Sequence, residues 1–244
     1  MTPTLTRTRV LSGVLLVACA VAVGVPSAAM ADTTSTVPRN AQAKADRLAY
    51  CHGHADAAIQ ARLTALGNDL TAVNSAAHLA PADKQTLLGL ISSDQSGLTQ
   101  LKATIDATTD PTTCHTDGLT IVTGYRVYVL VGPKVRLTIA ADQIQAAGAT
   151  LQSVATTLQN DINRAKGNGK DVAKAQEALN DLNTKTTAAL SAAAPVPGQV
   201  LPLDPSGYPA DATTLQSARQ SLESARSDLH AARKDAAQVV ADLQ

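Results

Sequence analysis

The scarcity of aromatic side chains constrains this chain more than any other feature. It has no Phe or Trp, four Tyr and 46 Ala in 244 residues. Ala is the strongest helix former, and the composition is that of an Ala-rich helical protein. Alternating Leu and Ala lets helix backbones approach closely, at lower buried area per residue than a Leu/Ile seam. A chain this poor in rings offers no platforms on which successive nucleobases stack. Lys+Arg and Asp+Glu balance at 20 each, so no basic field collects phosphates. No nucleic-acid partner is expected.

The spacing of apolar residues predicts an all-α fold throughout. Ile59, Leu63, Leu66, Leu70, Val73 and Ala77 alternate by four and three, the seam of helices packed side by side. Pro81 suits the first turn of a second helix, whose seam reads Leu87, Ile91, Asp94, Leu98, Leu101 and Ile105. These two helices form an expected hairpin over 40–109. Residues 119–131 are rich in β-branched and aromatic side chains, which favour a strand. No comparable run exists to pair with it, so the central segment 115–131 is expected as a buried helix interrupted at Gly132-Pro133. Helices follow over 133–166 and 170–193, separated by the turn signal Gly167-Asn168-Gly169. Five prolines in 195–209 (Pro195, Pro197, Pro202, Pro205 and Pro209) exclude regular helix there, leaving a loop. The final helix, 211–244, carries Leu215, Ala218, Leu222, Ala225, Leu229, Ala232, Ala236, Val239 and Leu243. The expected architecture is an antiparallel bundle of long heptad-patterned helices over 40–244, able to oligomerise through an exposed seam.

The first residues speak to compartment. Arg7 and Arg9 precede an apolar run from Val10 to Val25, then Ala29-Met30-Ala31, the order of a secretory signal peptide over 1–31. A flexible segment, 32–39, would open the mature chain. The alternative is lipidation at Cys19, since Leu16-Val17-Ala18-Cys19 resembles a lipobox. Against it, Ala20-Val21-Ala22-Val23 stays apolar where a lipoprotein usually turns polar. Loss of 1–31 leaves 18 basic and 20 acidic groups, a net charge near −2 that selects no partner. It also leaves two cysteines, Cys51 and Cys114, which in an exported chain read as a disulfide. Folding the hairpin about residue 80 sets residue 51 against residue 109. A loop from Asp110 could bring Cys114 within the roughly 7 Å between Cα atoms that a bridge needs.

Chemistry-bearing residues are few. His52 and His54, with Asp56 and with His115 beside Cys114, form the densest polar cluster, and converging imidazoles could bind Zn or Cu. His52 and His54 diverge by about 200° around a helix, and no HExxH or paired CxxC fixes a ligand geometry. Exposed histidines beside a structural disulfide are the simpler expectation. No nucleophile elbow, Ser-x-x-Lys or phosphate-cradling glycine loop is present, so neither an enzyme nor a cofactor is expected. His78 and His230 are expected as surface residues on helices. Tyr125, Arg126 and Tyr128 hold half the tyrosines of the chain and could form an interaction surface, with packing at the bundle centre as the simpler expectation.

The run Tyr125-Arg126-Val127-Tyr128-Val129-Leu130-Val131-Gly132-Pro133-Lys134-Val135, with Ser217-Ala218-Arg219 and Ser227-Asp228-Leu229-His230-Ala231-Ala232-Arg233-Lys234-Asp235-Ala236, resembles a group of exported Ala-rich proteins of high-GC actinobacteria. The likeness spans most of the mature chain and implies a secreted helical protein of that lineage. It transfers no functional residue. The expected function is that of a secreted, non-enzymatic structural or interaction protein meeting an envelope protein or polymer, with a metal- or ligand-binding module as the alternative.

Overall fold

Local signals place the helix boundaries. The computed structural model describes residues 39–244; the expected signal peptide, Cys19 and residues 32–38 lie outside the described residues. Helix α1 spans Arg39–Ser75 and α2 spans Pro81–Ala107, with Pro81 in its first turn. Asp110 caps α3 (Pro111–Thr123) by accepting hydrogen bonds from the Thr113 amide at 2.9 Å and its hydroxyl at 3.1 Å. This satisfies one of the amides that a helix start leaves unpaired. A π-helical turn, Val127–Val131, leads into α4 (Gly132–Gly167). Arg164 and Lys166 in the last turn of α4 oppose the negative end of the helix dipole. Gly169 then turns the chain at φ 80°, a conformation glycine adopts without a steric penalty. Helix α5 runs Ala173–Ala193, α6 Val196–Val200 and α7 Ala212–Leu243. Among the described residues there is no strand, and no helix is long and apolar enough to cross a membrane.

Two apolar cores form. The first gathers Ile59, Leu66 and Val73 of α1, Leu87, Ile91, Leu98 and Ile105 of α2, and Cys114 and Ile121 of α3. The second gathers Ile144, Leu151, Leu158 and Ile162 of α4, Leu179 and Leu182 of α5, and Leu222 and Leu229 of α7. Each fully buried Leu or Ile contributes about 1.5–3 kcal/mol. Ala175, Ala189 and Ala193 of α5 and Ala218, Ala225 and Ala232 of α7 are also buried in the second core. Where α5 and α7 pack, these small side chains let the helices lie close. The cores meet at the start of α4, where Val127, Val131 and Val135 enter the first and Leu130 the second.

The Cys51–Cys114 disulfide is present, with Cα atoms 6.3 Å apart. It ties α1 to the first turn of α3, so Cys114 sits on a helix rather than in the loop expected. Closing a span of 63 residues stabilises by about 4 kcal/mol on the chain-entropy relation. Alongside it, Lys102 of α2 reaches Asp56 of α1 at 2.7 Å, and Lys84 donates to the Asn74 carbonyl at 3.3 Å.

Three sequence expectations need correction. The Pro-rich stretch does contain regular helix, α6, because Pro197 lies in its first turn, where no amide hydrogen bond is required. The central segment does not run unbroken to Gly132-Pro133. It breaks at 124–126 and continues through Gly132-Pro133 into α4, with Pro133 again in a first turn. Leu119, Val122, Tyr128 and Val129 of this segment are exposed. His78 lies in the turn between α1 and α2, not on a helix, and is exposed as expected.

The close approach of α4 and α5 makes a test. A Cβ at Gly148 would stand 2.4 Å from Leu190 Cδ2 and 2.7 Å from its Cγ, whereas one at Gly67 meets nothing within 4 Å. Alanine gains about 1 kcal/mol of helix propensity over glycine at either site. Gly67→Ala should therefore stabilise by about 0.5–1 kcal/mol, and Gly148→Ala should destabilise by about 1–2 kcal/mol through overpacking. Thermal unfolding of the two variants measures this, and equal stabilisation by both would show that Leu190 yields.

Candidate functional site

The two cores are joined at a polar centre that the chain reaches through a strained turn. Helix α3 stops at Gly124, and Arg126 takes a left-handed backbone at φ 45°. That conformation costs a non-glycine residue of order 1 kcal/mol. It is held from across the fold: Arg126 Nε donates to the Pro205 carbonyl at 3.1 Å, and its guanidinium lies 4.6 Å from the centre of the Tyr208 ring. The π turn follows, closed by the Gly132 amide donating to the Val127 carbonyl. Such a turn inserts one extra residue into a helix and lets adjacent side chains serve both cores.

Lys134 sits in the first turn of α4 and is 3% exposed. Burial strips its ammonium of water, so it needs acceptors. It donates to the Leu201 carbonyl at 3.1 Å and to the Leu203 carbonyl, binding the segment after α6 to the start of α4. Burial pulls the Lys134 pKa below the usual lysine value, and the charges of Asp94, Asp204 and Asp211 oppose that pull. Asp94 of α2 is the complementary group. Burial raises its carboxyl to about 6, against the opposing charge of Lys134. Its Oδ2 is buried without a hydrogen-bond partner. Tyr125 completes the centre by packing on α2 at Gly97, where a Cβ would stand 2.6 Å from the Tyr125 hydroxyl. The hydroxyl pKa is raised by burial and then by the charge of Asp94.

This arrangement holds one buried cation against backbone oxygens and keeps a carboxyl able to take up a proton near neutrality. Its sequence signals were of two kinds. Asp94 was visible as an acid inside an apolar register. Lys134 was legible only as a cation beside Gly132-Pro133, because the carbonyls that receive it lie 67 and 69 residues further along the chain.

The other expected site residues are dispersed. Of the interaction trio, Tyr125 and Arg126 are half-buried in this centre, while Tyr128 is exposed, with the Arg62 guanidinium 5.2 Å from its ring centre. His54 is exposed, its Nδ1 3.0 Å from the Tyr50 carbonyl and its ring 3.8 Å from that of Tyr50. His52 is half-buried, with Nε2 unpartnered, and His115 is exposed. Among the described residues no group of three His, Cys, Asp or Glu side chains could hold a metal ion. The alternative reading of His52, His54 and His115 as a metal site therefore finds no ligand set among the described residues. No protein-family model, curated protein or solved structure matches the chain.

The raised Asp94 carboxyl gives a pH test with a definite sign. Its folded pKa lies above the unfolded value, so its contribution to stability is full below about pH 4 and is lost as pH rises through about 6. Subtracting the urea-unfolding free energy of Asp94→Asn from that of the native chain should give a difference that falls across this window. A flat difference would show that Asp94 is solvated. At neutral pH, Lys134→Met should lose about 1–3 kcal/mol by leaving two inward carbonyls without a donor, and limited proteolysis should then cut first within 201–211.

Proposed function

We propose that this is a secreted, non-enzymatic structural or interaction protein of the cell envelope or extracellular space, built as an antiparallel bundle of heptad-patterned helices. The observation that carries the reading is the Cys51–Cys114 disulfide lying downstream of a leader-like sequence. Structural disulfides persist in oxidising compartments, and here the bridge fastens two helices of an Ala-rich core that buries little area per residue.

The architectural part rests on register. The pairs Asp56–Lys102 and Asn74–Lys84 share the same index sum, as they do when neighbouring helices run in opposite directions. Buried positions of α7 fall at Leu215, Ala218, Leu222, Ala225, Leu229 and Ala232, and this alternation of three and four supports a heptad seam. The interaction part rests on the exposed apolar residues Leu119, Val122, Tyr128 and Val129, each more than two-fifths exposed. Tyr128 offers a surface anchor beside Tyr125 and Arg126, which the fold holds in place.

The intact mass of protein recovered from its native host, with and without reduction, tests the reading. A chain beginning at Asp32 whose mass rises by about two daltons on reduction is the expected result. A lipidated chain beginning at Cys19 would move the protein to the membrane surface, and a chain retaining residues 1–31 with free thiols would overturn export.

A further inference from the structure

Three hollows of about 420, 330 and 320 Å³ line the junction of α4 and α7. The first two share Leu137, Arg219 and Glu223, and the last two share Ala140 and Arg226, so they form one groove. Its α7 wall is an exposed stripe of Arg219, Glu223, Arg226, His230 and Arg233. The three arginines recur every seven residues, which places them above one another along about 21 Å of helix. Among the described residues, none of these three arginines belongs to an ion pair, whereas Asp235 on the same helix holds Lys185 of α5 at 2.7 Å. Half-buried Leu137 and Ala147 and exposed Val129 give the groove an apolar floor.

We propose that the groove between α4 and α7 binds an acidic amphipathic helix of a partner protein. Asp or Glu repeated every seven residues would face Arg219, Arg226 and Arg233, and small apolar side chains would rest on the floor. The partner's sign follows from charge complementarity, as at the flanking positions of paired helices. The other occupants fit worse. Two copies of this chain paired symmetrically on the groove would set Arg219 against Arg233 and Arg226 against itself. Residues 1–38 of this chain carry one carboxylate, Asp32, against Arg7 and Arg9. A uniform polyanion would meet Glu223 between two of the arginines, whereas a helix can place a lysine or neutral residue at that register. The proposal deepens the interaction reading above and rests on it only in taking the partner to be a protein.

The test uses the disulfide-bonded chain and a fluorescent synthetic peptide of three heptads. The peptide carries a Leu/Ala seam flanked by Glu at seven-residue intervals, and a second peptide carries Lys instead. Fluorescence anisotropy should show the Glu peptide binding with an affinity that falls with salt. The triple reversal Arg219→Glu, Arg226→Glu, Arg233→Glu should weaken that binding roughly tenfold or more and shift preference to the Lys peptide. All three positions are exposed, and circular dichroism verifies that the variant is folded. The triple Arg→Gln variant should show the same weakening without the switch, and it substitutes if the reversal does not fold. Equal binding of the two peptides, binding of neither, or tighter binding of polyphosphate than of the Glu peptide would each overturn the proposal. The native-host mass reads export separately, so either reading can fail while the other stands.

Discussion

One buried cation fastens the junction of the two cores to the segment after α6. Lys134 is buried, and its ammonium is accommodated because two carbonyls, from Leu201 and Leu203, converge on it. That contact joins the start of α4 to a segment 67 and 69 residues further along the chain. Once it is made, the neighbouring strain becomes tolerable. Pro205 is placed to accept from Arg126, and Tyr208 is placed beneath the Arg126 guanidinium. Together they hold the left-handed residue that opens the π turn. The turn in turn lets Val127 and Val131 enter one core while Leu130 enters the other.

The disulfide solves a different problem. A core of Ala, Leu, Val and Ile with no Phe or Trp gains little per residue from burial, and the backbone entropy it must oppose does not shrink with side-chain size. Constraining the unfolded chain offsets that shortfall without adding any buried surface. The position of the bridge suits this role. It ties α1 to the first turn of α3 through Cys51, at the end of the first core far from the turn between α1 and α2.

The uneven charge of α7 follows from its neighbours. The face toward α5 carries Asp235, matched to Lys185. The face bordering α4 carries Arg219, Arg226 and Arg233, with no described ion-pair partner. The apolar seam of this helix was plain in the sequence, but the arginine stripe beside it was not. A seven-residue repeat of charge acquires meaning only when the neighbouring helix shows which side of it is groove and which is open surface.

Much of the fold was legible because its causes are local. Helical state followed from Ala content and from the spacing of Leu and Ile, and helix starts from Pro81 and from the Gly167-Asn168-Gly169 turn. The disulfide followed from two cysteines and the register of one hairpin. What was misread turned on the first turn of a short helix or on partners distant in sequence. The prolines of 195–209 forbid a helix interior but permit a first turn, so α6 forms where composition argued for loop. The break at 124–126 depends on Arg126 reaching Pro205 and Tyr208, which no window around residue 126 contains. The sequence by itself therefore determined helical class and covalent linkage, which arise from interactions a few residues apart or from a single unambiguous pair. Only the tertiary structure decided where the helix breaks, which cation is buried and which face of α7 stays open. Each of these is set by which distant backbone and side-chain groups arrive to satisfy a charge.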